Sequence, residues 1–359
     1  MITINNMEQA LIPEFSQLPA AVLGQFVTMI RSNVDEENLV TALEYLIDNQ
    51  RININHLHRS WNAPTTWLLQ MIHYEKCRLV DVLLARDVNV HLGNGISPII
   101  KAVKKAAESA SKDKMNYIIQ KLVQKDPTVF QTRIGGKNLI YLSWSTNPDL
   151  RQIEFLLDLG FPVNMTNTFA ASIPGYTTGG QLYDRFHIRD FPLLFFTIAH
   201  ENTELMNLLI QRGANPDVAA YVQDEPTLVS PLRLVSPLHL AMEYTLDGVE
   251  DHDPRIMETL LRSGSDVDAK DERGRTCLYL AVRKRLSWAT IDLLLQYGAN
   301  VNTRCSMQWG NTSPMDIANP VQRHYILDVV RERRLRIWNQ MHARKIPREI
   351  QETFWMPSL

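Results

Sequence analysis

Apolar residues recur along this chain in a phrase that, in most copies, reaches a glycine followed by small and Asn/Asp residues. The clearest copies are at 208–217, 260–269 and 293–302, with fainter ones at 82–90 and 155–164. Ile291, Leu294 and Leu295 have the spacing of one helix face. The glycine then suits the left-handed backbone at a helix end, and Gly264 and Gly298 are 34 residues apart. The phrase therefore predicts a repeated helix that ends in a turn.

A second phrase lies between copies of the first. It reads Ser-Pro-Leu-His-Leu-Ala at 236–241, and related versions are at 63–68, 97–102, 137–142, 191–196, 276–281 and 313–318. A small residue followed by proline favours a helix start, because the missing N–H of proline has no helical partner at the first position. Each repeat is therefore predicted to be a helix–turn–helix followed by a finger-like hairpin.

These two phrases resemble the ankyrin repeat, a unit of about 33 residues with a Thr-Pro-Leu-His signature. The resemblance covers about 37–333 and implies an all-α solenoid of about seven helix–turn–helix units with long finger insertions and helical caps. We predict a capping region at 1–36, repeats at 37–330, and a basic C-terminal helix and tail at 331–359. In such a solenoid Pro237, His239, Gly213, Gly264 and Gly298 are structural residues.

The repeats are separated by more than the basic period, and the extra residues are predicted to be loops. Two of the insertions, at 165–190 and 219–235, enlarge consecutive fingers on one edge. Binding residues are often carried by loops on a rigid scaffold. Partner-binding residues are therefore predicted on the fingers: Tyr183, Arg185, His187, Arg189, Lys270, Asp271, Arg273, Gln308 and Trp309.

Composition narrows the function classes. The 359 residues carry 37 basic and 39 acidic side chains, so the near-neutral charge disfavours a nucleic-acid partner. Three distant cysteines form neither a disulfide framework nor a metal motif. No apolar run is long enough for a membrane span. We expect an intracellular protein, in the cytoplasm and also with access to the nucleus.

Local catalytic motifs are absent from the sequence, which has no phosphate-binding glycine loop, no His-Glu-x-x-His and no nucleophile elbow. We therefore predict no catalytic residues, no metal site and no cofactor. The leading hypothesis is a protein–protein interaction module, a scaffold or adaptor, that binds another protein on its finger and inner-helix face.

Two alternatives remain open. In the first, an enzyme or small-ligand receptor uses the 165–190 insertion as a lid, with a small molecule bound there. In the second, the chain is a ubiquitin-ligase substrate adaptor, since residues 17–23 resemble the start of an F-box and residues 346–350 resemble a short motif at the end of some ankyrin proteins.

Overall fold

The structure is a computed structural model of the full chain. It describes residues 20–32, 35–49, 52–55, 58–60, 63–93, 95–108, 112–169, 171–176, 182–223, 233–244, 255–306 and 310–343. The chain divides into two compact units, unit 1 at Met1–Phe169 and unit 2 at Ala170–Leu359.

Unit 1 is built from consecutive helices joined by short turns. They are α1 (Ala20–Arg31), α2 (Glu36–Asp48), α3 (Trp67–His73), α4 (Cys77–Ala85), α5 (Pro98–Glu108), α6 (Lys112–Lys125), α7 (Leu139–Thr146) and α8 (Leu150–Asp158), with a 3-10 turn at Pro127–Gln131. The strands are β1 (His58–Ser60), paired antiparallel with β2 (Ala63–Thr65), and β3 (Thr166–Asn167).

Unit 2 repeats the arrangement and adds longer strands. Its helices are α9 (Leu193–Ala199), α10 (Thr203–Gln211), α11 (Pro237–Tyr244), α12 (Arg255–Arg262), α13 (Cys277–Lys284), α14 (Trp288–Gln296), α15 (Pro314–Ile317) and α16 (Pro320–Ala343). Its strands are β4 (Ala171–Tyr176), β5 (Leu182–Arg189), β6 (Phe191–Pro192), β7 (Ala220–Gln223) and β8 (Arg233–Val235).

Within each unit the helices stack in two rows. In unit 1, α3, α5 and α7 contact one another in order, and so do α2, α4 and α6. In unit 2, α9, α11, α13 and α15 form the first row, and α10 contacts α12 in the second. Fully buried aliphatic residues such as Leu79, Ile99 and Leu294 fill the space between rows. One pair cannot bury its apolar face alone, so each pair depends on its neighbours.

The first helix of most pairs begins at a side-chain cap. Helices α5, α11 and α15 begin at the predicted proline. The prediction is wrong for the first copy, because α3 begins at Trp67 and Pro64 lies in β2. There the hydroxyl of Thr66 accepts a hydrogen bond from the Leu69 amide at 3.2 Å, so Thr66 is the cap.

The Asn/Asp residues after the second helix of each pair hold the turns of neighbouring repeats together. The first Asx side chain accepts the amide two residues on, as Asp266 does from Asp268 at 2.9 Å. The second accepts the backbone amide of the next repeat, as Asp268 does from Asn300 at 2.9 Å. The same inter-repeat bond joins Asn89 to Asn55 at 2.7 Å and Asp266 to Asp217 at 2.9 Å. The turn phrase thus also fixes repeat spacing.

A further link joins the start of a first helix to the following finger, and three different side chains make it. His239 is buried, with Nε2 at 3.1 Å from the Arg275 carbonyl oxygen. Because a carbonyl only accepts, Nε2 is the donor, and Nδ1 pairs with the Ser236 hydroxyl at 2.7 Å. Tyr279 lies at the equivalent position of the next pair, and its hydroxyl is 3.2 Å from Oγ1 of Thr312.

In unit 1 the same link is made by the cap itself. Asn138 is buried, and its Oδ1 accepts the Tyr141 amide at 2.9 Å as a helix cap does. Its Nδ2 donates to the Met165 carbonyl oxygen, also at 2.9 Å. Tyr141, three residues on, packs edge-on against Phe169 at 4.8 Å between ring centroids, and burial raises the pKa of its hydroxyl.

The predicted domain limits remain predictions, although two helices bear on them. Helix α2 begins at Glu36, next to the predicted start of the repeats. Helix α16 runs from Pro320 to Ala343 without a break at residue 330, so the predicted C-terminal helix is a continuation of the last pair. The turn glycines Gly213, Gly264 and Gly298 all have positive φ, at 86°, 92° and 97°.

Candidate functional site

The two finger insertions of unit 2 form one antiparallel sheet. Its strand order is β4-β5-β7-β8, so the first insertion supplies two strands and the second supplies the other two. The sequence predicted loops here. The signal that was missed is the alternation in Ala220-Tyr221-Val222 and Leu234-Val235, which is typical of a strand with one buried face.

The two faces of this sheet differ in exposure. Ile188, Ala220, Val222 and Val235 are buried on one face. On the other face Arg189, Tyr221 and Leu234 lie directly opposite one another across β5, β7 and β8. Tyr221 and Leu234 are 45% and 41% exposed, and Arg189 is exposed too. Since the open face of an antiparallel sheet is ordinarily polar, this apolar pair is a candidate contact site.

The β8 edge of the sheet is joined to the next finger, residues 268–276. The Leu234 amide donates to Oε1 of Glu272 at 2.5 Å. A carboxylate placed on an edge strand in this way blocks uncontrolled strand pairing. The exposed residues Lys270 and Arg273 belong to the same finger. We call Arg189, Tyr221, Leu234, Lys270 and Arg273 the sheet–finger surface.

The finger itself is held rigidly by Asp271. Its carboxylate accepts the Arg275 guanidinium at 2.8 Å from Nε and 2.6 Å from Nη2, and both side chains are largely buried. It also accepts the backbone amides of Arg273 and Arg275. With its oxygens occupied in this way, Asp271 shapes the finger, although it was predicted as a partner-binding residue.

Close approach of the next finger sets a second constraint. The Ser306 amide donates to the Arg273 carbonyl oxygen at 3.0 Å. Gly274 has φ of +74°, and a Cβ there would be 2.7 Å from the Ser306 nitrogen. Both conditions require glycine. The finger is therefore fixed on one side by Glu272 and β8 and on the other by residue 306.

The remaining predicted site residues are placed as follows. Tyr183, Arg185 and His187 belong to β5, where Tyr183 pairs with Gly175 and His187 with Ser172 and Gln223. Arg185 is the extra residue of a β-bulge, between Asp184 and Phe186. Their side chains, and Gln308 and Trp309 entirely, lie outside the described residues.

His91, Asp126 and Thr128 form a polar cluster in unit 1. Nε2 of His91 is 2.8 Å from Oδ2 of Asp126 and 3.3 Å from Oγ1 of Thr128. Both contacts use the same ring nitrogen, so the imidazole does not relay a proton between them. The hydrogen bond with His91 has the largest effect on the pKa of Asp126. Together with the smaller effects of the hydrogen bonds with Thr128, it lowers that pKa to about 2. Asp126 also caps the 3-10 turn through the Thr128 amide, which is a structural role.

The candidate lid at 165–190 contributes strand β5 to the four-stranded sheet. Strand β5 is paired on both sides, with β4 and β7, so this part of the insertion is a fixed sheet element. His200 packs against Phe196 with ring centroids 4.0 Å apart, and burial lowers its pKa. Residues 346–350, and the side chains of 17–23, lie outside the described residues.

No group of three or more His, Cys, Asp or Glu side chains in the described ranges is arranged to hold a metal ion. None of the described helices combines the length and apolar character needed to cross a bilayer.

Comparison with known protein families identifies one repeat of the chain. A family model described as "Ankyrin repeat" matches residues 273–306, which contain helices α13 and α14 and part of the flanking fingers. The chain therefore contains an ankyrin repeat. Its fold is mostly helical, as predicted. The ankyrin-repeat fold is generally a protein–protein interaction module, so the predicted function class is confirmed at that level.

Solved ankyrin-repeat structures are similar to this chain. One is the ankyrin repeat domain of Bcl-3, "a unique member of the IkappaB protein family", at 18% identity and a TM-score of 0.46, covering 74% of this chain and 98% of that one. Another is the human ASB11 ankyrin repeat domain, at 18% identity and a TM-score of 0.38, covering 74% and 97%. No curated protein sequence matches the chain.

Proposed function

We propose that this protein is an adaptor or scaffold that binds a protein partner on its sheet–finger surface. The observation that carries the proposal is the exposed apolar pair Tyr221 and Leu234, held opposite each other on a sheet whose other face is buried. A rigid backbone lowers the entropic cost of presenting these side chains to a partner.

The charged residues around Tyr221 and Leu234 indicate which kind of protein surface would bind there. Arg189 lies beside Tyr221 in the same cross-strand row. Lys270 and Arg273 are exposed on the adjoining finger. In the same finger the carboxylates of Glu272 and Asp271 accept hydrogen bonds from this chain. An apolar centre with a cationic rim fits a protein surface with an apolar patch beside acidic residues. Aromatic and arginine contacts at the centre of such an interface carry most of the affinity.

The test is site-directed photo-crosslinking in cells that express the protein. Benzoylphenylalanine replaces Tyr221 in one variant and Tyr45 in the control, because Tyr45 on α2 is exposed to a comparable extent at 36%. We expect a discrete crosslinked partner from position 221 only, and its loss when Leu234→Asp is added. Equal crosslinking from both positions, or a 221 adduct insensitive to Leu234→Asp, would contradict the proposal.

A further inference from the structure

Unit 1 carries a concentration of positive charge on the first helices of its pairs. The buried side of α5 holds Ile99, Ala102, Val103 and Ala106. Its remaining side presents Lys101, Lys104 and Lys105, at the i, i+3 and i+4 spacing that puts them on one helix face. The solvent side of this short helix therefore carries three lysines and one carboxylate, that of the exposed Glu108, and its net charge is positive.

Neighbouring helices add to this face. Helix α3 contacts α5, and Nζ of Lys105 donates to the His73 carbonyl oxygen at 2.5 Å, at the end of α3. Helix α1 packs against α3 through Phe26 and Trp67, whose ring centroids are 5.8 Å apart, and it ends at the exposed residue Arg31. We call Arg31, His73, Lys101, Lys104 and Lys105 the basic strip.

The charges of the strip act on one another. Burial lowers the pKa of His73, and the positive charges of Lys101, Lys105 and Arg31 lower it further, against a smaller opposing effect of Glu75. Nζ of Lys105 is paired with Oε1 of Glu75 at 2.7 Å. Among the described residues neither Lys101 nor Lys104 has an ion-pair partner. With Lys101 and Lys104 added to the other cations, the strip keeps a net positive charge despite the carboxylates of Glu75 and Glu108.

The strip is also short. Helix α7, which contacts α5 on the far side, exposes the uncharged residues Ser145, Thr146 and Asn147 near its end. Three stacked helices at about 10 Å spacing give a strip of about 20 Å. That length matches about six residues of extended chain.

We propose that the basic strip is a second binding surface, which takes an acidic peptide segment rich in Asp and Glu from a partner protein. Charge complementarity carries the proposal. A peptide is favoured over nucleic acid because the strip is short.

The test measures fluorescence anisotropy of a labelled peptide with six consecutive glutamates, titrated with the full chain. The variant Lys101→Glu/Lys104→Glu is compared with the control Lys114→Glu/Lys121→Glu on α6, which makes the same change in net charge. We expect about tenfold weaker binding for the first and less than about twofold for the control. Raising salt from about 50 to about 200 mM should weaken binding of the parent chain.

A neutral variant, fold controls and an oligonucleotide ligand complete the experiment. The neutral variant Lys101→Gln/Lys104→Gln should weaken binding by an intermediate factor, and it covers the case in which charge reversal disturbs the fold. Circular dichroism and the melting temperature verify each variant. Equal losses in both charge-reversed pairs would overturn the proposal. Tighter binding of a single-stranded oligonucleotide with the same number of charges would replace it with a nucleic-acid site.

Discussion

The finger and cap at 134–141 in unit 1 and those at 271–279 in unit 2 solve the same packing problem with partly different residues. Gly136 and Gly274 each lie two residues before the cap and have positive φ. A Cβ on either would be 2.7 Å from a backbone nitrogen of the next finger, that of Phe169 or Ser306. The steric requirement is therefore the same in both regions.

The hydrogen-bond requirement is met differently. In unit 2 the cap and the inter-repeat link belong to separate residues, Ser236 with His239, and Thr276 with Tyr279. In unit 1 Asn138 performs both functions. The comparison shows that a repeat keeps its geometry when polar residues change, provided that each buried donor and acceptor still has a partner. The family model covers only 273–306, although the same construction extends beyond that range.

The largest expected effect concerns the shared glycines. We expect Gly136→Ala and Gly274→Ala each to lower the free energy of unfolding by about 3 kcal/mol, because positive φ and backbone crowding act together. Gly264→Ala is the matched control, with φ of +92° and no atom near its Cβ, and should cost about 1 kcal/mol. Urea denaturation measures all three. Similar losses at 136 and 264 would break the equivalence of the two regions.

The dual role of Asn138 is tested by two substitutions at that position. Asn138→Ala removes both the cap and the link and should cost about 2 kcal/mol. Asn138→Ser keeps a capping oxygen but does not reach the Met165 carbonyl, so we expect about 1 kcal/mol. Thermal and urea unfolding give the difference. If serine and alanine are equally destabilising, the cap contributes nothing here.

The link made by Tyr279 is separable from its packing. Tyr279→Phe removes only the hydroxyl that contacts Thr312 and should cost about 1 kcal/mol. In unit 1, Tyr141→Phe is the control at the same distance from its cap, because there the link is made by Asn138. Its cost in the same urea series should be smaller. A larger loss at 141 would mean that the hydroxyl, and not the amide of Asn138, joins the repeats of unit 1.

The smallest effect is a gain in stability at the turn between paired helices. Arg285 and Glu75 occupy equivalent turns with φ of 55° and 59°. Arg285→Gly relieves the strained backbone and should stabilise unit 2 by about 0.5 kcal/mol. Glu75→Gly should give no gain, because it also removes the ion pair with Lys105. Differential scanning calorimetry at neutral pH compares the two; a gain at position 75 matching that at 285 would contradict this assignment.

The sequence by itself determined the repeat unit, its paired helices and its turns. Helix periodicity and the Ser-Pro starts are local properties, because each depends on the conformation of a few adjacent residues. The same reasoning assigned structural roles to Gly298 and His239; in the structure Gly298 has positive φ, and Nε2 of His239 donates to the Arg275 carbonyl oxygen. The prediction was wrong at Pro64, which lies in a strand and does not begin the helix. The helix begins at Trp67, and the hydroxyl of Thr66 is its cap.

Only the tertiary structure decided what the insertions become. Segments 171–189 and 220–235 pair into one sheet although about 30 residues and a helix pair separate them. Strand pairing depends on partners distant in sequence, so the exposed pair Tyr221 and Leu234 was not among the predicted site residues. The use of Asp271 inside its own finger was likewise hidden. Which face of a side chain remains free for a partner is decided by non-local contacts, which spacing along the chain does not specify.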